Sequence, residues 1–268
     1  MTTRRPVRPP FVLLGLGALG ALVTIVPLIG LLSRTPWDRL PSLLTSSVVL
    51  DALRLSLISS LLATALSVVL GVPLAWLVSR VPFTGNSVLR AVVTLPMVLP
   101  PVVGGAALLF ALGRRGLVGG PLNDATGLLL PFSMWGVVVA NTFVSMPFLV
   151  VTVSGALASV DQRYEGAAAS LGASRLTIFR RVTLPMIGPS LRAGILLTWA
   201  RALGEFGATV TFAGNLQGRT QTLPLAVFVA LESDRDAAVA ISLVLMAISL
   251  LVLLTMRDRW WSSNGSIR

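Results

Sequence analysis

The chain has 268 residues, of which 54% are hydrophobic and 12% charged, so it carries about half the charge that coats a water-soluble domain. All 21 basic residues are arginine, the net charge is +11, and there is no histidine or cysteine. That excludes disulfides, Cys/His zinc sites, thiol nucleophiles and Ser-His-Asp chemistry, and the length has room for roughly six or seven spans of ~20 residues in lipid.

In chain order, Phe11–Leu32 is free of charge and follows Arg4, Arg5 and Arg8. A secretory signal has a shorter apolar region and a small-x-small cleavage site, so a retained first span is expected. Gly15, Gly17 and Gly20 match a dinucleotide fingerprint, but that motif works only at a strand-to-helix turn. Inside an apolar run, small residues permit close helix packing instead. The second, third and fourth spans are expected at Leu55–Ser79, Ala91–Gly113 and Met134–Ala158. Pro96, Pro100 and Pro101 break the third near its middle, which leaves either an unwound gate or a packing kink. The fifth stretch, Leu191–Phe212, contains Arg201 and Glu205, and the sixth is Ala237–Met256. Leu223–Leu231 is too short to cross and reads as a buried or interfacial helix on the outer side.

Six spans put both termini on one side. Thirteen arginines (4, 5, 8, 80, 90, 163, 175, 180, 181, 192, 257, 259, 268) fall on that side and seven (34, 39, 54, 114, 115, 219, 235) on the other. The positive-inside rule therefore places the termini in the cytoplasm. The expected division is a cytoplasmic tail over 1–10, one transmembrane domain over 11–256 and a second cytoplasmic tail over 257–268. No P-loop is present and there is no lysine to build one, so ATP-driven work requires a separate ATPase.

The longest cytoplasmic loop, 161–189, is not composed like a linker. Leu171, Ile178 and Val182 are expected on one helical face with Arg180 and Arg181 turned away, Gly172 suits a helix–turn–helix break, and Pro185 ends the second piece. A short, partly apolar hairpin on the membrane surface results, which either docks into a partner or rests on lipid headgroups.

This loop resembles that of bacterial ABC importer permeases: Glu-Ala-Ala, three residues, Gly, nine residues, then an aliphatic, any residue, and Leu-Pro. Ala167-Ala168, Gly172 and Val182-Thr183-Leu184-Pro185 reproduce the spacing; Gly166 stands where the family has glutamate, and Glu165 comes one place early. Ala200–Asn215, Thr220–Pro224 and Thr94–Pro101 are similar to the molybdate-transport permeases, with sulfate/thiosulfate permeases next, over the chain from about Leu50 onward. The resemblance implies an all-α integral membrane fold of about six transmembrane helices with a cytoplasmic coupling hairpin, the type I importer permease architecture, in a bacterial cell membrane. It implies ATPase coupling by Glu165, Gly166, Ala167, Ala168, Gly172, Arg175, Val182, Leu184 and Pro185. The implied partners are two cytoplasmic ATPase subunits, an extracytoplasmic oxyanion-binding protein, a second copy of the chain and the bilayer, with no nucleic acid, cofactor or metal.

The candidate translocation path comprises Pro96, Pro100, Pro101, Arg201, Glu205 and Thr209. Arg201 and Glu205, at i and i+4, read either as an oxyanion attractor or as a structural ion pair, and Gly204 with Ala208 as a small-xxx-small packing face. A stand-alone secondary transporter would show inverted repeats and charges in several spans. An intramembrane enzyme would need a His/Cys/Asp cluster. The sequence carries neither.

Overall fold

The computed structural model describes residues 10–260, with side chains through Thr255. Arg4, Arg5, Arg8 and Arg268 of the two expected tails lie outside the described residues, as do the side chains of Arg257 and Arg259. Every regular element among the described residues is helical.

Helix α1, Phe11–Ser33, has no buried residue and exposes Phe11, Leu16, Val23 and Ile29 all round its surface. Only a lipid solvent or a partner helix suits such a cylinder. A short α2, Leu40–Leu44, leads to α3, Ser47–Arg80. At 1.5 Å per residue, the 34 residues of α3 reach about 51 Å, well beyond a ~30 Å hydrocarbon core.

The expected third span is not one rod. It divides into α4, Asn86–Thr94, a 3₁₀ turn over Leu95–Met97, and α5, Pro101–Leu112, bent by 116°. Pro96, Pro100 and Pro101 remove three backbone donors within six residues, and the chain turns where the ladder cannot continue. After α6, Gly119–Thr126, comes α7, Met134–Ser159, in agreement with the expected fourth span. Ser133 caps it by accepting from Gly136 N at 3.1 Å.

The surface hairpin is α8, Gln162–Ser170, and α9, Arg175–Ile178, followed by a π-turn over Phe179–Thr183. That turn runs directly into α10, Leu184–Leu203. Pro185 therefore does not end a helix, as expected from sequence; it lies in the first turn of α10, where its missing N–H costs little.

The expected fifth span, Leu191–Phe212, is also broken. α10 stops at Leu203, and α11, Gly207–Phe212, starts a new short helix after Gly204–Phe206. Gly204 thus lies in the break and Ala208 on α11, and the small-xxx-small face across them does not exist. α12, Leu223–Ser233, is short and half-buried as expected, and α13, Arg235–Trp260, is the last span.

Among the described residues four helices (α1, α3, α7 and α13) are long and apolar enough to cross a membrane, and the bent α4–α5 pair makes a fifth if counted as one span. α10 has the length for a sixth, at 20 residues, but Arg192 and Arg201 lower its apolar character. The main core lies between α3, α7 and α10, where Val72, Ala75, Leu149, Val153, Leu157 and Ile187 are buried. A second cluster joins the start of α3 to α12 and α13 through Val49, Ala52, Leu223 and Ile241. A third packs α5, α7 and α11 through Leu108, Ala140, Val144 and Phe212.

Candidate functional site

Two places of irregular backbone gather the candidate side chains. The first is the hairpin. Asp161 caps α8, its carboxylate accepting from Arg163 N at 2.9 Å. At the other end Gly172 N donates to Ala169 O at 2.9 Å and Ala173 N to Ala168 O at 3.1 Å, the paired bonds of a Schellman turn. Gly172 has φ +83°, a conformation in which a Cβ is disfavoured, so the Ala168-to-Gly172 spacing is that of a helix stop. Ser174 then caps α9 by accepting from Thr177 N.

The turn carries Leu171 outward, 89% exposed, while Ile178 and Val182 are half-buried behind it. The three do not share one face, because α8 ends before Leu171. Tyr164, Leu171 and Leu176 form the exposed apolar surface instead, flanked by exposed Arg175, Arg180 and Arg181. Beside them is a groove of about 280 Å³ lined by Pro73, Trp76, Arg175, Leu176 and Phe179. Gly166 and Ala167 face outward, Ala168 and Leu184 are half-buried, and Pro185 is exposed. Glu165 turns inward: one carboxylate oxygen accepts from Thr183 Oγ1 at 2.8 Å and lies 3.3 Å from Arg80 NH2.

The second place is where the two broken helices meet. α5 packs on α11 at backbone distance: a Cβ on Gly105 would lie 2.6 Å from Thr211 Cβ and 2.9 Å from the Ala208 carbonyl oxygen. A Cβ on Gly207 would lie 2.7 Å from Pro101 Cβ. Only glycine allows these approaches. At the break, Glu205 is 1% exposed at its side chain; it accepts from Arg201 NH1 at 2.5 Å and from Ala208 N at 2.8 Å. One carboxylate therefore joins the end of α10 to the start of α11 and satisfies an orphan donor there. The i,i+4 spacing of Arg201 and Glu205 is not a pair along one helix, since Glu205 lies beyond its end. Arg201, 29% exposed, still reaches the surface.

Thr209 is buried and donates to Asn141 Oδ1 at 3.3 Å. Of the six path candidates, Pro101, Arg201, Glu205 and Thr209 are gathered around this junction, while Pro96 and Pro100 sit on the bend leading to it. Asn141, Gly105 and Gly207 are additions that the sequence reading does not supply. Asn141 has a signal, as an amide within a stretch that has no charge from 125 to 160. Irregular backbone at membrane depth is tolerated where protein or water satisfies it, and broken helices of this kind surround transport paths.

Residues 67–260 match the family described as "Binding-protein-dependent transport system inner membrane component". The chain belongs to that family. It is an ABC importer permease, a multi-pass membrane protein and a transport subunit. It is 46% identical over 235 residues to the molybdenum transport system permease protein ModB of Mycobacterium tuberculosis, covering 88% of this chain and 89% of that one. With ModB of Escherichia coli K12 the identity is 40% over 210 residues, 78% and 92% of the two chains. The sulfate transport system permease protein CysT of Salmonella typhimurium is 37% identical over 236 residues, 87% and 85% of the two. Among solved structures, a bacterial ABC transporter that imports alginate matches with TM-score 0.74 at 19% identity, covering 92% of this chain and 93% of its own. The methionine transporter MetNI matches at 0.54 and 16%, covering 87% and 95%. At those identities the likeness is one of fold.

Proposed function

We propose that this permease carries a tetrahedral oxyanion, molybdate or tungstate, into the cytoplasm, driven by ATP hydrolysed on a separate subunit. The observation that carries the substrate is identity of 40–46% with molybdenum permeases over most of the chain. A sulfate or thiosulfate substrate is the second reading, favoured by the 37% identity with the sulfate permease.

In this reading two copies enclose the path, two ATPase subunits dock on the exposed hairpin surfaces, and a binding protein delivers the ion from outside. Both termini are cytoplasmic, in keeping with the arginine balance. Glu165 to Pro185 forms the coupling element. Its exposed Leu171, Leu176 and Tyr164 supply an apolar ridge suited to a cleft. Closure of the ATPases drives the hairpins together, and the broken helices at Pro96–Pro101 and Leu203–Gly207 are where the path changes access. Arg201, the cationic side chain at the junction, has its charge offset by Glu205. It therefore contributes to holding the junction, and hydroxyl and backbone donors are left to meet the anion.

The test is uptake of labelled molybdate into vesicles containing the chain with its ATPase and binding protein, with excess sulfate as competitor. Uptake that resists sulfate supports the molybdate reading. Uptake abolished by sulfate moves the substrate to the sulfate class.

A further inference from the structure

The C-terminus of α3 is held from two sides. On one side the Val78 carbonyl, among the last four of its helix and so without an intrahelical partner, accepts from Asn86 Nδ2 and Arg90 Nε, each at 3.1 Å. A second Arg90 nitrogen, NH2, donates to the same oxygen. These bonds fasten the base of the bent α4–α5 arm. On the other side Arg80 pairs with Glu165, whose shared oxygen also holds Thr183 of the π-turn. The Arg80 and Glu165 side chains are 11% and 23% exposed, and Thr183 is buried.

We propose that Glu165 is a positioning residue that locks the hairpin to α3, so that displacement of the hairpin is delivered to α3 and, through the Val78 carbonyl, to the α4–α5 arm. The proposal rests on the reading of the hairpin as the ATPase-docking element. Three observations carry it. A carboxylate serving an outside partner would point into solvent, whereas Glu165 points inward onto a cation and a hydroxyl of its own chain. The neighbouring outward position, Gly166, presents no side chain and faces open space. Among the described residues Arg80, mostly buried, has Glu165 as its one acidic partner, and its Nε has no hydrogen-bond partner. A desolvated ion pair with a shared hydroxyl has a defined geometry, which a hairpin packed only through half-buried Phe179 and Leu184 would lack.

The π-turn fits this arrangement. By widening the helix just before Pro185 it sets Thr183 under Glu165, within hydrogen-bond reach. The α4–α5 arm meets α11 at its bend, where Pro101 at the start of α5 lies against Gly207, so the locked segments form a physically continuous chain from the hairpin to the junction of broken helices.

The experiment uses the full assembly in proteoliposomes with its ATPase and binding protein, and molybdate as the transported ion. The variants are Glu165→Ala, Thr183→Val and the charge exchange Arg80→Glu with Glu165→Arg. Three quantities are read: ATPase retained on purification, ATP hydrolysed, and molybdate moved per ATP. Glu165→Ala is expected to keep the ATPase and hydrolysis but to move about tenfold less molybdate per ATP. The charge exchange is expected to recover most of that loss, and Thr183→Val to show a smaller loss of the same kind. If Glu165→Ala loses the ATPase subunit, Glu165 faces the partner and the proposal is wrong. It is equally wrong if molybdate per ATP is unchanged, whether or not total activity falls. Should Glu165→Ala not fold, an unchanged ratio in Thr183→Val overturns the proposal, since that variant keeps every charge. Failure of the unmodified chain to retain any ATPase would overturn the docking reading itself, whatever Glu165 does.

Discussion

Replacing Arg201 with alanine separates two roles for the charged pair at the helix break. Glu205 is 1% exposed, and Arg201 NH1, at 2.5 Å, is its one cationic partner among the described residues. Without it the carboxylate keeps only the bond from Ala208 N at 2.8 Å. Stranding a buried charge costs about 3–5 kcal/mol. The lower end applies here, because the arginine is 29% exposed and some of its attraction is already screened by solvent. For a chain of this size about 3 kcal/mol corresponds to a fall in Tm of roughly 6–12 °C. Glu205→Gln keeps an acceptor for Ala208 N and removes the charge, so it should cost only about 1 kcal/mol. The double variant Arg201→Ala with Glu205→Gln should then be more stable than Arg201→Ala alone, a positive coupling read from a double-mutant cycle. Thermal unfolding of the detergent-solubilised protein, monitored by the fluorescence of its six tryptophans, gives these values. A Tm for Arg201→Ala within about 2 °C of the unmodified protein would refute the reasoning. If that variant also lost uptake, Arg201 would act on the transported anion and not on the fold.

Other consequences are as direct. Gly105→Ala forces a Cβ to 2.6 Å from Thr211, so α5 must retreat from α11; overpacking of about 1–3 kcal/mol should lower Tm, with uptake falling alongside it. Gly172→Val puts a β-branched residue at φ +83°, which should cost about 1–2 kcal/mol locally and abolish ATP-dependent uptake while the transmembrane core still unfolds near its usual temperature. Leu171→Asp touches nothing in the fold, since Leu171 is 89% exposed; Tm should not move, and the amount of ATPase retained on purification should fall. Retention at the unmodified level would remove Leu171 from the docking surface.

Much of the architecture is legible because lipid writes a simple code. Phe11–Ser33 emerges within a residue or two from absence of charge, Met134–Ser159 from absence of charge together with Pro131 and Pro147, which shorten the uncharged run, and Leu223–Ser233 from being too short to cross. The break at Gly172 is legible too, since a positive φ favours a glycine. Sequence and structure part where hydropathy is blind to direction. An apolar run looks the same whether it continues or turns by 116°, so the third stretch declares its prolines but not its angle. The break after Leu203 carries no proline; a buried glutamate and the close contact of Gly207 with Pro101 hold it, and the second of these depends on a helix a hundred residues away in sequence. Pro185 reads as a stop in sequence because proline suits both the first turn of a helix and the residues just past its end. Glu165 resembles a partner contact in sequence because its targets, Arg80 and Thr183, come together only in the fold.

The central claim is that this chain is the membrane path of an ATP-driven importer, and one comparison tests it most directly. Molybdate uptake is measured in vesicles holding the chain and its binding protein, with and without the ATPase subunit, and with and without ATP inside. Uptake that requires both the ATPase and ATP is the predicted result. Uptake of the same rate with neither would contradict the account and leave a transporter that works alone.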